Sequence, residues 1–281
     1  MISLPRYALT ACFLLWAHGS ASSLDQTKLK ADQILISYVE PKNPQHQKIL
    51  QILKERQVLE KFREILSPVR LPRTLLLQMK GCDGEVNGWY DFDERAITIC
   101  YELIQKNFDD RPKGTTPAGV TSEDAFVGPV AEIFLHEAGH AIFDLLEVPI
   151  FGHEEDAADQ FAAYMILRLK SEEARRLIRG VAYLYGHYAK KEMKNLDFGR
   201  FADEHGQPAQ RYFTYLCLAY GSDPKEFADI TKRIPPQRTE RCEAEFAQVD
   251  FAFKKLITPY IDPDVRKSVK NREWLKGRIK N

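Results

Sequence analysis

The chain carries no excess of charge of either sign: 40 Lys and Arg stand against 40 Asp and Glu in 281 residues. Without a basic surplus there is no electrostatic footprint for nucleic acid, and none for an anionic membrane surface. Only five cysteines are present and none forms a C-x-x-C pair, which argues against a cysteine-ligated zinc site. No apolar run reaches the roughly 20 residues needed to cross a bilayer. Repeats and low-complexity tracts are also absent. What is left reads as an ordinary globular chain, long enough to bury a substantial core.

Residues 1–21 hold Arg6, an apolar run at residues 8–17, and the small residues Gly19-Ser20-Ala21. That order is an export signal with a small-x-small cleavage site. It predicts a mature chain of residues 22–281, periplasmic or extracellular, with no stable membrane anchor. Leu9-Thr10-Ala11-Cys12 resembles a lipidation box, but the apolar core continues past Cys12 instead of preceding it. The segment removes one Arg and no acid, so the mature charge stays near zero. Cys82, Cys100, Cys217 and Cys242 then remain. An even number in an exported chain suggests disulfides, with three connectivities open. Their grouping favours Cys82–Cys100 and Cys217–Cys242, the first tying two neighbouring strands; four free buried thiols are the alternative.

Hydrophobic periodicity predicts a strand over 33–39, a turn at Pro41-Lys42-Asn43-Pro44, and one amphipathic helix over 45–66 with Ile49, Ile52, Leu53, Leu59, Phe62 and Leu66 on its stripe. Ser67-Pro68 ends it. Strands follow at 74–79, 86–91 and 96–101, the last rich in β-branched residues. Residues 106–121 hold Pro112, Gly114, Pro117 and Gly119 and read as a polar connection. Helices are expected at 172–193 and 208–220 around a loop at 195–206. Further ones are expected at 226–232, 238–256 and 265–276.

The stretch that carries chemistry is Phe134-Leu135-His136-Glu137-Ala138-Gly139-His140-Ala141. Histidines four apart share one face of a helix, so both imidazoles can reach a single cation. Glu137 projects beside it, where a carboxylate can take a proton from a zinc-activated water. Ile133, Phe134, Ala141, Ile142, Leu145 and Leu146 give this helix a surface to bury. Pro129 suits its first turn, and Val148-Pro149 stops it. A pair of structural histidines is the bland alternative, so the third ligand decides.

A catalytic zinc needs three protein ligands and one open position. Phe143 and Leu146 stand where a metzincin would place its Gly and third His. A second helical run instead begins at Glu154-Glu155-Asp156-Ala157-Ala158-Asp159. Glu155 and Asp159 are again four apart, and small Ala158 and Ala162 permit a close approach to the first helix. Glu155 is the expected third ligand, and Asp159 the acceptor for the other ring N–H of a zinc histidine. Glu154, Asp156 and His153 are substitutes for the ligand, and a solvated acidic helix start is the alternative reading.

His136-Glu137-x-x-His140 followed by Glu155-x-x-x-Asp159 resembles the gluzincin pattern. It is more specifically similar to a bacterial family of metallopeptidases with Gly152-x-Glu154-Glu155-Asp156-Ala157-Ala158-Asp159-x-Phe161-Ala162 in the second helix. The resemblance continues through residues 82–101 and 205–220. It implies a zinc-dependent peptidase with one Zn²⁺ and a peptide or protein substrate. It also implies a zincin-like α+β fold: a small mixed sheet with a backing helix (about 22–146) above a helical lower part (about 147–281), with the active-site helix between. Asn87-Gly88-Trp89-Tyr90 is similar to the edge strand that gluzincins hold above the zinc, with Gly88 where alanine is usual. An exposed edge there can pair with an extended peptide, and packing of Trp89 and Tyr90 into the core is the alternative.

Gluzincins commonly stabilise the tetrahedral oxyanion with a His or Tyr from the C-terminal part. His205, in a loop just before a helix, is the candidate on this resemblance; Tyr212 and Arg211 are alternates, with Tyr212 also counted toward substrate binding. His187 and His153 are weaker, and His205 on its own also reads as an ordinary surface residue. Two other classes compete: a zinc-containing binding protein without turnover, and a metal amidase acting on cell-envelope material. Glu137 argues against the first, since a structural zinc needs no general base.

Overall fold

The computed structural model describes residues 33–194 and 197–275; the expected signal segment, residues 1–21, lies outside them. Buried and half-buried side chains alternate along β2 (Leu75–Lys80), the pattern of a strand with one face in the core. It lies between β1 (Ile34–Tyr38) and β4 (Ala96–Cys100) and runs parallel to both, with Leu76 opposite Leu35 and Ala96. β3 (Gly88–Asp91) pairs antiparallel on the outer side of β4, giving a mixed sheet of order β1-β2-β4-β3. The sheet and the helices that follow make the α+β architecture expected from the sequence.

The expected single helix over 45–66 is two. A 3-10 turn at Pro44–His46 leads into α1 (Gln47–Glu55), and α2 (Val58–Leu66) starts afresh after Gln57, which is left-handed at φ 52°. The residues themselves explain the break. Continuing the buried positions Ile49, Leu50 and Leu53 calls for apolar side chains near 56, 57 and 60, where Arg56, Gln57 and Glu60 stand. The stripe resumes out of phase at Leu59, Phe62, Ile65 and Leu66. The orphaned N–H of Leu59 is taken up by the Tyr38 hydroxyl of β1 at 2.9 Å, and that hydroxyl donates to Glu60 at 2.9 Å.

A second departure is α3 (Tyr101–Asp109), which begins directly after β4 and extends into the expected connection. It buries Tyr101, Ile104 and Asn107 at three-residue spacing. α4 (Ser122–Leu145) is longer than its motif suggests, and Pro129 stands inside it, not in its first turn. Thr121 caps the helix by accepting from the Asp124 N–H at 3.0 Å. An interior proline costs roughly 3 kcal/mol. Burial of Phe126, Val130, Phe134 and Leu135 on the same helix, each contributing roughly 1.5–3 kcal/mol, outweighs it. α4 is buried on nearly every side, the signature of a central helix.

Against α4 pack α5 (Glu154–Leu167) and α6 (Ser171–Glu192), and α7 (Pro208–Ser222) packs on both of these. The tail forms a 3-10 segment at Ala228–Arg233, then α8 (Pro236–Thr239), α9 (Cys242–Leu256) and α10 (Pro263–Lys270). Two disulfides pin the ends of these layers. Cys82–Cys100 joins the chain leaving β2 to the end of neighbouring β4, and Cys217–Cys242 joins α7 to the start of α9. Both are the pairs favoured by the spacing.

The α4–α6 crossing depends on two glycines. A Cβ on Gly180 would lie 1.9 Å from the Asp124 carbonyl oxygen and 3.0 Å from the Gly128 Cα. Backbone cannot yield as a side-chain tip can, so Gly180→Ala is expected to destabilise the protein by about 2 kcal/mol or more. Urea unfolding measures this, and a midpoint matching the parent protein would mean that the two helices are free to part.

Candidate active site

α4 repeats a polar residue every fourth position, Glu132, His136 and His140, along one face of a mostly apolar helix. α5 faces it with Glu155 and Asp159, also four apart. The two helices meet where neither has bulk. A Cβ on Gly139 would sit 3.2 Å from the Ala158 Cα. Gly139 lies between the two histidines in sequence and Ala158 between the two acids, so this tight point of the crossing is flanked by the residues of the polar cluster.

His136 Nε2, His140 Nε2 and Glu155 Oε2 form a triangle with sides of 2.9, 3.3 and 3.4 Å. A tetrahedral zinc with bonds of about 2.0–2.1 Å holds its ligand atoms about 3.3–3.4 Å apart, so this donor set fits such an ion. The outer ring nitrogens are engaged as well. His136 Nδ1–H donates to Asp159 Oδ1 at 2.9 Å and His140 Nδ1–H to Glu154 Oε1 at 2.8 Å. Once each ring keeps only its Nδ1 proton, the two Nε2 lone pairs converge.

Protonated at Nε2 as well, the rings are cations facing Glu155. Burial pushes the Glu155 carboxyl up, but hydrogen bonds from His136, His140 and His205 outweigh it and hold the group far below the usual carboxylate range. Burial likewise disfavours the His136 imidazolium, yet Asp159 and Glu155 raise it to about 10. Glu137 is different. It is 6 % exposed, lines the cleft beside Gly88 and His205, and burial pushes its carboxyl upward.

Behind His136 lies a buried polar layer of which the sequence singles out only Asp159 and Arg211, Arg211 for another role. Arg211 comes from α7 and grips Asp159 through Nε (2.7 Å) and a terminal nitrogen (2.5 Å), reaching Glu132 at 3.1 Å. Tyr185 and Tyr215 donate to the same Glu132 oxygen at 2.8 and 2.7 Å. Glu132, His136 and Asp159 could themselves surround a metal ion, but the guanidinium already supplies the positive charge between the two acids. Glu132 could have been noticed as a third acid or imidazole at i, i+4 spacing on α4. Tyr185 and Tyr215 left no such signal.

His205 lies with Nε2 2.9 Å from Glu155 Oε2, its ring stacked on His136 at 5.7 Å. The hydrogen bond to Glu155 raises its pKa. Asn87 and Gly88 line the cleft with His136 and Glu137. The missing methyl of Gly88 has a reason: a Cβ would lie 2.7 Å from Ile99 Cδ1 and 3.3 Å from Ile133 Cγ1. Trp89 also borders the cleft, while Tyr90 is buried and donates to Asp144 at 2.8 Å. Tyr212 does not join the group. Its ring packs on Gly186 of α6 and its hydroxyl faces Arg233, because one residue along α7 from Arg211 is a turn of about 100°. Asp156 is exposed beside Gly206, and His153 precedes α5 at the cleft rim. His187 lies on α6 against Tyr183 and Tyr188.

A family model described as "Putative metallopeptidase" matches residues 38–257. That span holds every residue of the triangle and of the polar layer behind it. Neither the curated proteins nor the solved structures returned a match.

Arg211→Met is expected to cost about 3–5 kcal/mol at neutral pH, the usual penalty for stranding a buried charge. In the parent protein burial raises Asp159, but Arg211 and His136 outweigh it, so its folded pKa lies below its unfolded one. That group stabilises the fold above the unfolded pKa of about 3.9, and the contribution fades as pH falls through the folded pKa. In the variant the stranded acids take up protons more readily, so the stability gap should narrow between about pH 7 and about pH 4. Denaturant unfolding across that range measures it; a gap independent of pH would mean that Arg211 acts through packing alone.

Proposed function

The chain belongs to this metallopeptidase family, and on that premise we propose that it is an exported single-zinc endopeptidase of the gluzincin type. The observation that carries the reading is the triangle of two imidazole nitrogens and one carboxylate oxygen, with the buried Glu137 carboxylate beside it. His136, His140 and Glu155 hold the zinc, and Asp159 and Glu154 fix the ring orientations from behind. Bound there, zinc supplies Lewis acidity, polarising the scissile carbonyl and acidifying a water.

The remaining steps belong to the chain's own side chains. Glu137 removes a proton from the attacking water and returns it to the leaving amine; its upward-shifted carboxyl suits both transfers near neutral pH. His205 donates to the oxyanion that develops on the carbonyl. The substrate lies along β3. Since the Asn87 carbonyl accepts from Cys100 N–H, strand alternation turns the backbone groups of Gly88 and Tyr90 toward the open edge. Gly88 N–H is held for now by the Asn87 side chain at 2.9 Å, a bond that an incoming peptide carbonyl can replace.

Export rests on residues 1–21 and is supported by the two disulfides, which persist in oxidising compartments. Among the described residues no helix is long and apolar enough to cross a membrane. In this reading residues 22–281 act as one catalytic unit, the sheet and α1–α3 forming the upper wall of the cleft and α5–α10 the lower.

Glu137→Gln is expected to retain near-stoichiometric zinc while casein or peptide hydrolysis falls about a thousandfold or more. Digestion at the parental rate by that variant would remove the mechanism. His136→Ala and Glu155→Ala should instead lose zinc in metal analysis, and full zinc occupancy in Glu155→Ala would reassign the third ligand. A zinc-loaded protein that leaves a mixed peptide library intact but opens cell-envelope amides would make it an amidase.

A further inference from the structure

Beside the metal donors the cleft deepens into a pocket between α3, α4 and α6. This part of the cleft, bordered also by Gly88 and Arg211, has a volume of about 530 Å³, within the range of sites that enclose a sizeable ligand group. Its walls are apolar where Leu103, Ile133 and Leu184 line it. Of the polar groups on these helices, the Tyr185 hydroxyl is spent on Glu132 and that of Tyr188 on Asp110, which leaves two to consider. Asn107 is 4 % exposed, and its amide makes no hydrogen bond among the described residues. Glu132 Oε1 receives Tyr185, Tyr215 and Arg211, which leaves Oε2 without a partner among those residues.

Buried amides are nearly always hydrogen-bonded, and one that is not, on the wall of a cleft, marks where a ligand or water completes the bonding. An apolar corridor carrying an unused donor-acceptor pair suits a side chain that is apolar along its length and polar at its tip. The charges narrow the choice. A cationic tip would find Glu132 already shared with Arg211, and the Glu192 carboxylate at the rim already paired with Arg200 at 3.2 Å. An anionic tip would face Glu132 and Glu137, while the guanidiniums of Arg211 and Arg200 are already paired with Asp159 and Glu192.

We propose that this pocket receives a substrate side chain next to the scissile bond and selects a bulky one ending in an uncharged hydrogen-bonding group, tyrosine above all, with Asn107 as the selecting residue. The proposal rests on the peptidase reading. A site that hydrogen-bonds a substrate hydroxyl rejects the analogue lacking it, because its own polar group is then left unpaired in the complex. An Asn107 amide turned toward solvent or occupied by a neighbour would carry no such preference.

The test uses the zinc-loaded protein. A mixed peptide library first locates the cleavage position, and two peptides differing only in Tyr or Phe beside it are then compared. The expected ratio of kcat/KM, Tyr over Phe, is about tenfold or more in the parent protein, falling to one or below in Asn107→Leu. A parental ratio near one overturns the proposal whether or not the variant folds, and so does an unchanged ratio in a folded variant. Cleavage with no Tyr preference removes the subsite alone. A zinc-loaded parent that cleaves no library peptide removes the peptidase reading with it.

Discussion

Everything in the cleft depends on how closely α4 and α5 approach. At Gly139 and Ala158 the two backbones come within the distance that only small residues permit. Residues four apart on each helix flank that point, so His136 and His140 on one side face Glu155 and Asp159 on the other. A single added methyl group at Gly139 would press on the Ala158 backbone and the Phe161 ring. The donor triangle is thus a by-product of helix packing: the spacing along each helix is set by its pitch, and the spacing between them by the absence of side chains.

Close packing alone would leave the carboxylates in a region from which water is excluded. The layer behind His136 resolves this with a single arginine. A guanidinium offers a planar fork of donors that can grip Asp159 with two nitrogens and still reach Glu132, which a lysine ammonium does less well. The tyrosine hydroxyls complete the Glu132 oxygen, and the Tyr185 ring lies 4.5 Å beneath the guanidinium. The same arrangement fixes the Asp159 oxygens that orient the His136 ring. Stability of the lower half and orientation of the imidazole are therefore served by one buried ion group, contributed by α4, α5 and α7.

Legibility from sequence followed interaction range. His136, Glu137 and His140 could be read because helical spacing is local, and Glu155 with Asp159 because the acids repeat at the same period opposite small residues. The cysteine pairs and the edge position of β3 also emerged as expected. The break at Gln57 is visible in principle as a phase slip between Leu53 and Leu59, but the apolar residues on either side also read as one stripe. α3 went unseen because a nine-residue helix entered straight from a strand lacks a capping signal. Pro129 reads as a first-turn residue because local rules disfavour interior proline, and burial over the whole of α4 overrides them. On α7, choosing between Arg211 and Tyr212 required knowing which face of that helix meets α5.

What the sequence determined by itself is the chemistry available: two imidazoles and a carboxylate at helical intervals, a second acidic pair at the same interval, and four cysteines in two groups. Those are properties of backbone geometry over a few residues, identical in any helix that contains them. What only the tertiary structure decided is which groups are partners: Arg211 with Asp159 and Glu132, His205 beside Glu155, Gly88 against Ile133, and Asn107 open to the cleft. The reason is that a buried polar group takes its role from whatever reaches it across helices far apart in the chain. That contact is settled by the fit of whole helix faces, which no short stretch of residues encodes.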